Sequence, residues 1–114
     1  MKEIDQAHLR EPDRRMAVEA SRAIKARLPV EQVILFGSKA RGDDTRDSDM
    51  DLLVLISGER PPDASHRVWE ALWDVQMRYA VGLSPLVVSA DQWREGLYQA
   101  TLFKDEIERD GVVL

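Results

Sequence analysis

At 114 residues the chain has the length of one domain and is too short for two comfortable cores. A hydrophobic share of 44% supports a core without staples, and the absence of cysteine excludes disulfides, thiolate metal centres and a cysteine nucleophile, in keeping with a reducing cytoplasm. The net charge of −5 argues against a general grip on nucleic-acid backbone, which needs a clustered basic face, yet leaves room for a nucleotide held in one local pocket with a metal.

The first six residues are charged and polar, with no apolar leader. Residues 12–28 are expected to form a helix, with Pro12 in its first turn and Met16, Ala20, Ala23, Ile24 and Leu28 at helical spacing. Residues 32–36 form a short β-rich run that ends abruptly at Gly37-Ser38. The polar stretch 39–48 follows, dense in Asp, Arg and Gly. Residues 50–57 are almost continuously apolar and read as a strand buried on both faces.

A turn with Pro61-Pro62 precedes a second long helix over residues 64–80. Val68, Leu72, Val75 and Tyr79 form its stripe, with Trp69 and Trp73 beside it. Gly82 is expected to cap it in a left-handed conformation. A third strand is expected over 86–89, then a helical or irregular segment over 90–99. The last helix covers 101–110, with Leu102, Phe103 and Ile107 inward and Gly111 as its stop, and residues 112–114 can add a terminal strand. The order α-β-β-α-β-α predicts a single α/β (α+β) domain over 1–114, a small mixed sheet flanked by helices. No apolar run approaches the roughly 20 residues needed to span a bilayer, so no membrane segment is expected.

The chemistry concentrates in Phe36-Gly37-Ser38-Lys39-Ala40-Arg41-Gly42 and Asp47-Ser48-Asp49-Met50-Asp51-Leu52. Glycine lets the backbone bend sharply and lets an anion come close, and free N–H groups at the start of the next turn then face that anion. The Ser38 hydroxyl adds a donor, and Lys39 and Arg41 add positive charge. These are the parts of a triphosphate cradle, although not those of a P-loop, whose spaced glycines and Gly-Lys-Ser/Thr ending are missing. Asp49 and Asp51 stand two apart, so in a strand both project from one face. Two adjacent carboxylates repel, and a divalent cation reverses the sign. Magnesium binds through one or two carboxylates plus phosphate oxygens, which suits in-line attack on an α-phosphorus with pyrophosphate leaving.

Gly37-Ser38, the loop 39–48 and Asp49-Met50-Asp51 together resemble the signature of the minimal nucleotidyltransferases of the DNA polymerase β-like superfamily. The fuller Phe-Gly-Ser-x-Ala-Arg-Gly and Ser-Asp-x-Asp-Leu pattern is also present, so the specific match covers residues 33–55. The resemblance implies a nucleotidyltransferase fold, Ser38 on the β- and γ-phosphates, and Mg2+ on Asp49 and Asp51, with ATP as substrate. It further implies a helical HEPN-type protein partner in a toxin–antitoxin pair, the small chain being the antitoxin and modifying a tyrosine of its partner with AMP. A homo-oligomer is compatible with it. Active members also carry a third carboxylate on the later strand. The corresponding stretch, residues 83–89, holds no acid, and Ser84 stands near that place. A serine hydroxyl lacks the basicity of a carboxylate, so three readings stay open: an acid from elsewhere such as Asp91, a base from the partner, or a binding module that neutralises its partner by complex formation.

Among other residues, Asp43, Asp44 and Asp47 are expected to be solvated or to cap the loop, and Arg41 to reach either phosphate or a loop Asp. His8 and His66 read as surface or helix-start residues, and Ser65 as a first-turn residue. Trp69 and Trp73 are expected in the core, with a partner surface as the alternative. Trp93 and Tyr98 are candidates for a partner-binding surface.

Overall fold

The computed structural model describes residues 1–114, with the side chains of Leu97 and Gln99 outside the description. Strand β1 (Lys2–Glu3) and a short 3-10 turn lead to helix α1 (Glu11–Lys25), then β2 (Val30–Phe36), the four-residue helix α2 (Ser38–Arg41), β3 (Met50–Ile56), α3 (Ala64–Arg78), β4 (Leu83–Ser89), α4 (Ala90–Glu95), α5 (Leu102–Asp110) and β5 (Val112–Val113). The sheet order is β1-β5-β2-β3-β4. β2 runs antiparallel to both β3 and β5, whereas β3 pairs with β4, and β1 with β5, in parallel. This is the mixed sheet flanked by helices that the α/β pattern predicts.

Alternation along the strands divides the interior into two layers. Val33, Leu35, Met50, Leu52, Val54 and Ile56 face α1 and α3, where Met16, Ile24, Val68 and Leu72 cover them. Ile34, Leu53 and Leu55 face the other way, against Val88, Trp93 and Ile107. β3 is an interior strand covered on both faces, which is why its sequence is continuously apolar rather than alternating. At its N-terminal end the second layer runs out, and Asp51 occupies the face that Leu53 and Leu55 bury further along.

Several expectations are corrected. β4 begins at Leu83 rather than at 86. It is the sheet edge, where Pro85 can sit without breaking a ladder bond that a central strand would need. α3 ends at Arg78 with an extended C-cap at Tyr79, so Gly82 is no left-handed cap. Trp69 and Trp73 are 44% and 65% exposed, and with Met77 they form a stripe on the solvent side of α3. Trp93 is instead buried in the second layer, its ring against Tyr98 and Phe103. Leu102 is exposed, because Phe103 and Ile107, four apart, set the inward stripe of α5 and Leu102 lies to one side of it. Lys104 is buried there, its ammonium 5.8 Å from the centre of the Trp93 ring.

Candidate active site

β2 delivers the chain into Gly37, whose φ of 76° and ψ of −158° belong to a region that only glycine visits without strain. α2 begins at once. The N–H groups of Ala40 and Arg41 bond to the Gly37 carbonyl, and those of Ser38 and Lys39 precede the first intrahelical bond. Gly42, with φ 84°, closes the helix in a left-handed cap and donates to the Ser38 carbonyl. The bend and the cap thus hold Ser38, half-buried, at the end of the strand.

Asp51 pairs with Phe36 on β2 and with Ser84 on β4. Side chains at paired positions share a face, so Phe36, Asp51 and Ser84 form a row across the sheet. A Cβ on Gly37 would overlap the Asp51 carboxylate, so the absence of a side chain before Ser38 is what lets the acid reach the bend. Asp49, two residues earlier, lies against Gly82 in the same way: a Cβ there would overlap its Oδ1. Both acids are therefore seated against glycine, one on each side of β3. The Gly82 carbonyl also accepts from Met50 N–H at 2.8 Å, fixing the approach of the two segments.

Burial pushes the Asp51 carboxyl above the usual aspartate range, the Asp49 charge pushes it the same way, and Arg41 pulls it back in part. Two acids close enough to feel each other are a destabilised pair that a divalent cation would relieve. Among the described residues no three His, Cys, Asp or Glu side chains converge as a metal cage. The donor set fits magnesium completed by phosphate oxygens, the way this ion is commonly held, rather than an all-protein site.

The remaining predicted residues divide. Arg41 is exposed beside this group and donates from Nε to Asp43 at 3.2 Å, the loop-Asp alternative of the two. Lys39 is not brought to the acids. Its Nζ turns inward and donates to Asp13 at 3.0 Å and Asp44 at 3.1 Å, and the residue is 2% exposed. The reason is geometric: in a helix of one turn, Ser38 and Lys39 face about 100° apart, so the residue after Ser38 points towards α1 rather than to the sheet edge. Asp91 lies at the start of α4, at the opposite end of β4 from Ser84. No acid replaces Ser84 in the row. Gly82 and Asp13 are contributions that sequence reasoning missed. A glycine just ahead of a strand, with no turn type to demand it, is the signal that could have revealed the first.

A family model described as a nucleotidyltransferase domain matches residues 18–112. The chain belongs to the nucleotidyltransferase domain family. A Methanocaldococcus jannaschii protein, named for an inferred protein adenylyltransferase activity, is 30% identical over 86 residues, which span 73% of this chain and 77% of that one. A crystal structure from Sulfolobus solfataricus, titled as an inferred nucleotidyltransferase, superposes with a TM-score of 0.52 at 24% identity, covering 90% of this chain and 82% of the other. That likeness establishes the shared fold.

Proposed function

We propose that this nucleotidyltransferase transfers AMP from ATP to a hydroxyl of a protein partner, with Mg2+ held by Asp49 and Asp51, and that it serves as the antitoxin of a HEPN-type toxin. The observation that carries the reading is the Asp51 carboxylate lying against Gly37 at the mouth of the Ser38 bend, with Asp49 beside it. Ser38 and the first N–H groups of α2 hold the triphosphate, Arg41 adds charge, and Asp49 and Asp51 would hold the metal. Magnesium supplies charge stabilisation for in-line displacement. The acceptor oxygen forms a bond to the α-phosphorus as the bond to pyrophosphate breaks, and the acceptor proton passes to a base brought by the partner. Lys39 has a positioning role, tying the bend to α1 through Asp13. The name of the Methanocaldococcus relative supports a protein acceptor. So does the exposed stripe of Trp69, Trp73 and Met77, because apolar area of this kind on a charged surface marks contact sites.

A specific observation favours a second reading. Ser84 fills the place beside Asp51 where an acceptor-side base would stand, so no carboxylate stands at that position of β4 to take the proton. The domain would then bind nucleotide and neutralise its partner by association. Incubation with α-phosphate-labelled ATP, Mg2+ and a HEPN-type protein decides between them. Transfer is expected to fall at least about 100-fold in Asp49→Asn or Asp51→Asn, since even groups that only orient a metal's ligands are worth about 10- to 100-fold. A stable, neutralised complex without any label transfer would rule out the enzyme and leave the binding module.

A further inference from the structure

Beside the phosphate bend lies a cavity of about 140 Å³ between the end of β2 and α5. Phe36, Phe103 and Ile107 make its apolar walls, and Gly37 and Arg41 form the side next to the acids. Glu106 and Asp110 stand at its rim, four apart on α5. It is on the same face of the sheet as Asp51, because Phe36 is the residue paired with Asp51 across β2 and β3. Gly37 lines the cavity, and a Cβ on it would overlap the Asp51 carboxylate. Arg41 lines the cavity, and its charge acts on both Asp51 and Asp110.

We infer that this cavity seats the nucleobase and selects one that carries an exocyclic amine, as adenine does. The inference rests on the nucleotide reading of the site given above. Phe36 and Phe103 meet edge to face, with ring centres 5.6 Å apart and planes at 87°, and together they make an aromatic wall of the cavity. Aromatic faces hold any base by stacking and do not discriminate among bases. Discrimination comes from the rim. An ionised carboxylate only accepts hydrogen bonds, so it favours a base edge with N–H donors and disfavours one that offers only ring nitrogens or carbonyls. Asp110 is engaged by Arg109 at 3.0 Å. Glu106 has no ion-pair partner among the described residues and is free to accept. With the base in this cavity, the ribose and phosphates pass over Gly37, which lines it, towards Ser38. Base and phosphates are thereby referred to the same bend.

The test is a calorimetric comparison, with Mg2+, of ATP, purine riboside triphosphate (the same ring with hydrogen in place of the amine) and inorganic tripolyphosphate. ATP is expected to bind roughly tenfold tighter than the amine-free analogue, the lower range for a hydrogen bond to a charged group. Glu106→Ala is expected to erase that difference by lowering ATP to the level of the analogue. Glu106 is exposed and alanine favours helix, so this variant keeps its fold. Phe103→Leu is expected to weaken both nucleotides together relative to tripolyphosphate. Equal affinity for ATP and the analogue in the unmodified protein, or a preference that survives Glu106→Ala, overturns the inference while the phosphate site stands. Tripolyphosphate binding as tightly as ATP does the same. Failure of ATP and tripolyphosphate alike to bind overturns the inference together with the nucleotide reading beneath it.

Discussion

Gly82 shows how a residue with no side chain can set the position of a reactive one. It lies outside the left-handed region, so alanine there meets no backbone strain, only the Asp49 carboxylate. Gly82→Ala is therefore expected to leave the fold intact and displace Asp49, lowering Mg2+ affinity about tenfold, the scale of a disturbed ligand-positioning contact. Magnesium titration of the folded variant checks this. Asp51 carries the opposite tension. Its carboxyl is raised above the ordinary value, so the folded chain binds the proton more tightly than the unfolded one, and the stability linked to that proton is lost as pH rises through the folded value. At neutral pH the ionised group thus costs stability in the absence of metal. Metal-free Asp51→Asn is expected to melt no lower than the unmodified protein while losing magnesium binding, a separation of stability from function that thermal unfolding with and without Mg2+ reads directly. The two acids and the Gly-Ser bend were legible in the sequence because residue type and a spacing of two fix their face. Gly82 was not, because its reason is a contact from a residue 33 positions earlier.

Among the elements, the one-turn helix α2 depends most on its neighbours, since four residues cannot hold a helix alone. Lys39 anchors it, joining Asp13 of α1 to Asp44 of the loop that leads to the acids. Lys39→Met would leave the buried Asp13 with only the looser Arg10 contact at 3.9 Å and is expected to cost about 3 kcal/mol, measured by urea unfolding. Burial alone would raise the Asp44 carboxyl, but the Lys39 hydrogen bond and charge, with Arg10 behind them, outweigh it and hold the group below its ordinary value of 3.8. The associated stability is present above that value and disappears as pH falls beneath it. Asp44→Asn should accordingly be less stable than the unmodified protein at neutral pH, and the gap should close on acidification through 3.8, followed by denaturant unfolding. Periodicity gave the long elements correctly, and it misread those where local patterns have two solutions. The stripe of α3 could have extended to Trp69 and Trp73, yet Val68, Ala71, Leu72 and Val75 already fill the face towards α1 and the sheet. Pro85 concealed the start of β4, because a proline is compatible with a strand only once that strand is known to be the edge.

For the molecule as a whole, the question is where an acceptor could bind. The sheet, its two helical layers and the acid bend use nearly the entire chain, and no helix among the described residues is long and apolar enough to cross a membrane. An acceptor brought by a second protein fits this economy, and the α3 stripe is the surface with most to gain from being covered. Trp73→Ala is expected to change stability by no more than about 0.5 kcal/mol, since the ring is largely exposed. Under the antitoxin role proposed above, co-purification with a HEPN-type partner should nevertheless weaken sharply, and retention of the complex at full strength would remove the stripe from the interface.

The most direct measurement is the binding of ATP to the isolated protein by calorimetry, with and without Mg2+, in the unmodified chain and in Asp51→Asn. The proposed bridge from carboxylates through metal to polyphosphate predicts that ATP binds only when Mg2+ is present and that the asparagine variant loses this binding. Tight ATP binding that ignores both the metal and the substitution would contradict it.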